Sequence, residues 1–467
     1  MMFRWFLAFR YLFSRAIPFA ALIVVAASVA LLIVIVSVME GFRTEHHEKI
    51  RGTSADIQVS STQYVGLRDP DRVAAVIDQV EGVRATAPYV DTPVLYRPEP
   101  ARLFGDDLER RYLRAIDIEK EFDAARGLGN FADYIAEAQK VTGFPPEGVD
   151  PRALFTREWG KNGMWDALNP DRNRSLPNRF ANVPLEEIPI PVVVGTEHAR
   201  DGVYPGYELS LTAFSPSTKL PVTRRFLVTG YFKTGIYELD ARGLLISLSV
   251  ADGFFGLQSE DGKALVSGVR VAALPELHEE PSLSQLRMRI ETALEEAGIF
   301  FIRVQTWREE HASLLQALRV EKALTSLILG LTVLFGGFMI FTILTVQVVE
   351  KTRDIGVLQS MGVTPWEGAG IFVRIGVVLC AVGTIIGSMY GLAFAYFVND
   401  IQRWVKLLTG IEVFPLTVFY MDEIPVRFHF ADLASIIIPT VVVSFIASLL
   451  PAYRAARQKP VDALRYE

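Results

Sequence analysis

Four long apolar runs, at positions 17–39, 324–349, 369–398 and 433–450, constrain this chain more than any other feature. The first, IPFAALIVVAASVALLIVIVSVM, holds 23 residues and no charge. As a helix it spans about 35 Å at 1.5 Å per residue, enough to cross a bilayer core of about 30 Å. It is longer than the apolar stretch of a signal peptide, no small-x-small cleavage site follows it, and MEGFRTEHHEKI continues as helix, so it reads as a retained anchor. The predicted fold is a membrane protein with four transmembrane α-helices in a 1+3 arrangement and a large α+β extracytoplasmic domain between spans one and two.

Basic residues near the spans set the expected orientation. Arg4, Arg10 and Arg15 precede the first run without an acid, and Arg454, Arg457, Lys459 and Arg465 follow the last. Both termini are therefore expected in the cytoplasm: 1–16 as the N-terminus, 452–467 as the tail. The spans are expected at 17–40, 323–349, 368–398 and 431–451. The segment 41–322 and a loop at 399–430 then lie outside. The net charge of −6 is modest and asks for no nucleic-acid partner. Cys380 is the single cysteine, so the outer domain holds no disulfide, and a lone thiol inside an apolar run reads as a small hydrophobe.

Within 41–322, two α/β pieces, 55–118 and 265–306, are expected to flank a β-rich piece at 188–264. ADIQVSS reads as a strand, and Val73, Val76, Ile77 and Val80 have helical spacing. Leu283, Leu286, Ile290 and Leu294 share one face of a helix over 282–297. The stretch 119–187, rich in Asn, Pro, Gly and Arg, reads as an insertion packed by Phe155, Trp159 and Trp165. The helical pattern at 308–322 runs directly into the second span.

No chemistry announces itself. The chain has no GxxxxGK[ST] phosphate loop, no HExxH and no GxSxG elbow. His46–His47, His278–Glu279 and Glu310–His311 are adjacent pairs whose side chains diverge on a helix, a poor geometry for one metal. The expectation is no catalytic residue, no metal site and no cofactor. In the third span Gly383, Gly387 and Gly391 recur every fourth residue, which suits close helix packing inside the subunit or, alternatively, a dimer seam.

The most informative local pattern is EKTRDIGVLQSMG at 350–362, a charged, half-apolar segment between the second and third runs. Ile355, Val357, Leu358 and Met361 alternate with Lys351, Arg353, Asp354 and Gln359, as in a helix lying across the membrane face. Gly362 is placed to end it, and Thr364-Pro365-Trp366-Glu367 reads as an N-cap, a proline at the first helical position and a capping-box glutamate. With no nucleotide motif of its own, the chain is read as offering 350–367 to a separate motor.

These residues resemble a known family. One span, a large domain and three further spans resemble the MacB/FtsX/LolC-LolE class of ABC-transporter permeases. E-K-x-x-D-I-G-V-L-x-x-x-G at 350–362 is similar to that class's coupling helix, and PAYRAARQKPVDALRYE to its usual ending. GTEHARDGVYPGYELSLTAFSP and VTGYFKTGIYELDARGLLISL resemble segments of the LolC/LolE lipoprotein-releasing permeases, with Leu239 and His198 as departures. The stretch 119–187 has no counterpart in the resemblance.

The resemblance implies a non-catalytic permease subunit of the bacterial inner membrane. It would pair with a second permease subunit, as homo- or heterodimer, and bind two copies of a cytoplasmic ABC ATPase. ATP-driven motion would then extract lipoproteins or other lipid-like material from the outer leaflet, toward a periplasmic acceptor. It assigns Glu350, Lys351, Asp354, Ile355, Gly356, Leu358 and Gly362 to ATPase coupling. Ile35, Val36, Met39, Leu324, Leu327 and Leu331 would line a substrate cavity. Two alternatives remain within the class: MacB-like export of peptides or small amphiphiles, and FtsX-like signalling to an extracytoplasmic partner.

Overall fold

The computed structural model describes residues 16–62, 66–99, 109–123, 130–168, 178–215, 220–255, 265–353, 357, 360–411, 421 and 423–457. It divides into two compact units. One comprises Met1–His46 and Ser313–Glu467, the other His47–Ala312.

Four helices, Ala16–Thr53, Ala312–Glu350, Pro365–Tyr396 and Phe430–Ala456, carry the apolar runs. Each is long and apolar enough to cross a membrane. Val25, Val29, Leu32 and Ile33 of the first span join Ile340, Leu344 and Val348 of the second, Ile375 and Leu379 of the third, and Ile436 of the fourth in one buried cluster. Cys380 belongs to that cluster, its sulfur 3.8 Å from Thr384 Oγ1 and from Thr440 O.

In lipid the apolar effect does not drive helices together, so close fit must. The glycines at 383, 387 and 391 supply it by meeting the first span of the same chain. A Cβ on Gly387 would lie 2.5 Å from Ala26 O, and one on Gly391 would lie 2.9 Å from Ala30 Cα. Gly41 is a contact of the same kind, with the Pro425 backbone passing where a side chain would stand. Arg427 N donates to Ser37 O at 3.1 Å beside it.

The second span packs mainly through one stripe, with Leu329 and Val333 partly buried against the same cluster. It buries Gly337, Ile340, Leu344, Gln347 and Val348, spaced by three and four, and nothing between 312 and 336. The stretch 399–430, expected as a loop, opens with a further helix, Val398–Thr409, separated from the third span by Phe397.

Among the described residues, the unit His47–Ala312 is built on eleven strands. These are β1 (Ile57–Ser61), β2 (Leu67–Arg68), β3 (Val83–Glu99), β4 (Glu109–Ile116), β5 (Ile190–Gly195) and β6 (Glu208–Phe214). They continue with β7 (Pro221–Phe232), β8 (Gly243–Ser247), β9 (Leu265–Val266), β10 (Gly268–Ala273) and β11 (Ile302–Thr306). Nine form one sheet in the order β11-β1-β10-β3-β4-β8-β5-β7-β6, and β2 pairs with β9.

The 17-residue β3 serves two parts of this sheet. Its first half pairs with β10, and its last five residues pair with β6. β3, β4, β8, β5, β7 and β6 therefore close into a ring, which leaves those strands no free edge. The stretches 55–118 and 265–306, expected as two pieces, are joined: β1, β10 and β11 are neighbours, continued by β3. The helix Ser282–Glu296 buries Leu283, Leu286, Ile290 and Leu294, the four residues of its expected face.

The described parts of 119–187 pack on this sheet. Phe131 and Ile135 of the helix Phe131–Thr142, with Leu154 and Phe155, share a cluster with Val193, Phe232 and Leu245. Trp159 Nε1 donates to Thr229 O at 3.1 Å, and Trp165 Nε1 to Gly160 O at 3.0 Å. At the start of the segment Glu121 accepts from Arg270 Nη1 of β10 at 3.0 Å, both side chains buried. Arg270 also lies over the Phe131 ring, 5.7 Å from its centroid.

Candidate functional site

Three places stand out, and the first two hold expected site residues on the span helices. The first is the turn after the second span. That helix ends at Glu350, and Lys351 N still donates to Gln347 O at 3.0 Å. Asp354, Ile355, Gly356 and Leu358 lie outside the described residues. Beyond them Met361 N donates to Val357 O at 3.1 Å, one helical turn, and Gly362 takes φ 96°. That left-handed conformation suits glycine and ends the turn. Thr364 N then donates to Glu367 Oε2 at 3.1 Å, which with Pro365 opens the third span.

Met361 and Trp366 are 77% and 73% exposed, large apolar groups left uncovered at this end of the bundle. The Trp366 ring stands 6.3 Å from that of Tyr453, over which Arg457 lies at 4.7 Å. Sequence reasoning missed this aromatic and cationic neighbour because Trp366 and Tyr453 are 87 positions apart.

The second place is a cavity of about 370 Å³ at the opposite ends of the helices. Val36, Met39 and Arg43 line it from the first span, Leu318 and Lys322 from the second, and Asp432 from the fourth. Of the six residues expected around a substrate, Val36 and Met39 are on this wall. Ile35, Leu324, Leu327 and Leu331 are absent from its lining and stand exposed on their helices. At the rim Glu40, His429 and Asp432 bring ligand atoms within 4.8 Å of one another, a trio that spans two helices and that no local pattern reveals. Arg43 is ion-paired to Glu40, and His429 Nδ1 lies 3.9 Å from Asp432 Oδ2. The cation these acids meet is a side chain.

The third place lies within the unit His47–Ala312, where its first and last residues meet the sheet. Ser54 Oγ is 2.8 Å from His311 Nε2, directly linking the two chain segments. Tyr134 Oη donates to Gly52 O, and Trp307 N donates to Asp56 O at 3.0 Å. Asp56 in turn accepts from Ala273 N at 2.9 Å and from His278 Nδ1 at 3.2 Å. β11 leads into this place through a capping box, with Glu309 N donating to Thr306 Oγ1 at 3.3 Å and Thr306 N to Glu309 Oε2 at 2.9 Å. His311 then breaks the one-turn helix Trp307–Glu310 from Ala312–Glu350, where the sequence pattern suggested one continuous helix. These polar contacts, all within His47–Ala312, hold the two ends of that unit to one sheet edge.

Residues 326–460, which hold the exposed turn and the last three spans, match the family model FtsX-like permease C-terminal. Nearly the whole chain, 97% of it, is similar to the lipoprotein-releasing system transmembrane protein LolC of Xylella fastidiosa, 27% identical over 455 residues and 95% of that protein. Residues 326–460 are thus an FtsX-like permease domain. The chain is also 24% identical over 461 residues to the LolC of Neisseria meningitidis serogroup B, covering 97% of the chain and 95% of that protein. A solved structure of the periplasmic region of MacB from Actinobacillus actinomycetemcomitans overlaps 57% of this chain and 95% of itself, with TM-score 0.28 and 10% identity.

Proposed function

We propose that this permease is one subunit of an ABC transporter of the bacterial inner membrane that lifts lipoproteins from the outer leaflet, powered by two copies of a separate cytoplasmic ATPase. Its likeness along almost the full chain to proteins named as lipoprotein-releasing carries this reading. In it both termini are cytoplasmic, and Glu350, Lys351, Asp354, Ile355, Gly356, Leu358 and Gly362 form the surface gripped by the ATPase. The uncovered side chains of Met361 and Trp366 at that turn support a docking role.

The span geometry supports the substrate side. The exposed Leu324, Leu327 and Leu331 of the second span are placed to face acyl chains or a second permease subunit. The cavity beside it has apolar walls and a charged rim, the pairing an amphiphile's chain and headgroup call for. ATP-driven closure would move the two span helices, which are covalently continuous with the domain that hands the lipoprotein to a periplasmic acceptor.

The test is reconstitution in proteoliposomes with the ATPase and second permease subunit, with an acylated protein in the bilayer. The expected result is ATP-dependent transfer of that protein to a soluble acceptor, and a photo-crosslinker at Leu327 that captures it before ATP is added. Transfer no greater than in vesicles without the permease refutes the reading; ATP-dependent movement of a peptide or macrolide instead favours export of small amphiphiles.

A further inference from the structure

The helix Val398–Thr409 follows the third span after the single residue Phe397, at the end of the bundle opposite the 350–367 turn. None of its twelve residues is buried, yet its sequence, VNDIQRWVKLLT, is strongly two-sided. At 100° per residue Ile401, Trp404, Val405 and Leu408 occupy one face, and Asn399, Gln402, Arg403 and Lys406 the other. Trp404 and Leu408 are 66% and 80% exposed. A water-facing helix gains nothing from such a stripe, and a helix packed on its own protein would bury it.

Three observations identify what covers the stripe. The helix continues a membrane span, so the bilayer is the apolar phase that begins where the third span ends. The junction carries exposed Tyr396 and Phe397, their rings 5.0 Å apart and perpendicular, with Trp404 two turns on. Such aromatic residues concentrate at the headgroup level. Finally, the polar face is the one tied down. Asn399 Nδ2 donates to Ile424 O at 3.2 Å, and Ile424 N donates to Asn399 Oδ1 at 2.9 Å. Holding Asn399 against the segment before the fourth span turns the opposite, apolar face away from the protein.

We propose that Val398–Thr409 is an interfacial helix seated in the headgroup layer of the leaflet opposite the 350–367 turn. Ile401, Trp404, Val405 and Leu408 enter the acyl boundary, while Arg403 and Lys406 stay at the phosphates. There it pins the third span at a fixed depth, next to the segment that leads into the fourth.

The test uses the full-length permease in proteoliposomes of phosphatidylethanolamine and phosphatidylglycerol, with Cys380→Ala as background. Single cysteines at Leu408→Cys and Trp404→Cys on the apolar face, and at Lys406→Cys on the polar face, carry an environment-sensitive fluorophore. Lipids with a nitroxide high on the acyl chain are expected to quench the probes at 404 and 408 several-fold more than the probe at 406, and aqueous iodide to do the reverse. Equal iodide quenching at 406 and 408 would place the helix in water and overturn the proposal. Protection of the 404 and 408 probes from both quenchers would mean that protein covers the face, and would overturn it equally. Two apolar positions are probed so that a local defect at one does not decide the outcome.

Discussion

Gly387→Ala is the sharpest probe of how the spans are held, because the obstacle its methyl would meet is backbone. The added carbon would sit 2.5 Å from Ala26 O, 2.9 Å from Val29 Cβ and 3.0 Å from Ala26 Cα. Ordinary contact begins near 3.4 Å, so the first span must retreat by the difference of 3.4 and 2.5, or 0.9 Å. A gap of that size forfeits about a quarter to a half of the dispersion well for each contact it opens, and Val25, Val29, Leu32 and Ile33 all depend on that contact surface. Overpacking of this kind costs roughly 1–3 kcal/mol. Alanine also regains about 0.8–1.0 kcal/mol of helix propensity, which would blur a single measurement. Gly336→Ala removes that ambiguity: nothing lies within 4 Å of a Cβ there, so it carries the propensity gain alone. The difference between the two variants is then the steric cost, about 1–3 kcal/mol. The assay is unfolding of the full-length protein in mixed micelles with increasing SDS fraction, followed by tryptophan fluorescence. If Gly387→Ala is as stable as Gly336→Ala, the first and third spans are not packed through this stripe.

Further predictions follow from the other sites. Asp354→Lys or Ile355→Asp is expected to abolish ATP-dependent transport while leaving membrane insertion and yield unchanged; a variant that still couples the ATPase normally would remove 350–362 from that role. Burial, and behind it the Arg111 charge, lowers the His198 imidazole from 6.5 to about 4. Between those values the unfolded chain binds the proton and the folded one does not. Stability is therefore full above pH 6.5, falls toward pH 4 and loses on the order of 3 kcal/mol. His198→Leu should flatten that acid limb in thermal unfolding at pH 4–7, and an unchanged slope would show that His198 does not set it. Arg270→Met leaves the buried Glu121 carboxylate without its partner and should cost roughly 3–5 kcal/mol, most of it recovered in the double variant Glu121→Leu/Arg270→Met. A double variant as unstable as the single one would mean that the loss comes from packing on Phe131.

Legibility tracked the distance over which each feature is decided. The caps around 350–367 were readable because Gly362 and Thr364-Pro365-Trp366-Glu367 act on their own neighbours, and the structure shows the left-handed glycine and the Thr364–Glu367 bond. Val398–Thr409 carried an equally local signal, Ile401, Trp404, Val405 and Leu408 followed by Gly410 at φ 69°. It was passed over as loop because twelve residues between two spans look like a connection. The double duty of β3 had no such signal, since pairing with β10, β4 and β6 depends on partners up to 190 positions away. At 119–187 the apolar anchors Phe155 and Trp159 were readable amid Asn, Pro and Gly, and both meet the sheet, whereas its further anchors Phe131 and Leu154 were not singled out because their partners are distant strands.

By itself the sequence determined that this chain spans a membrane four times. Runs of 18 to 30 apolar residues have no other stable place, and that preference is a sum over each residue's own transfer energy. It also determined where the turn at 350–362 lies and that close helix packing would occur at Gly383, Gly387 and Gly391. Only the tertiary structure decided what those glycines touch, that Leu324, Leu327 and Leu331 of the second span stay exposed, and that Ser54 meets His311. Each of these depends on which surfaces meet across the fold, a geometric outcome that no residue's own chemistry contains.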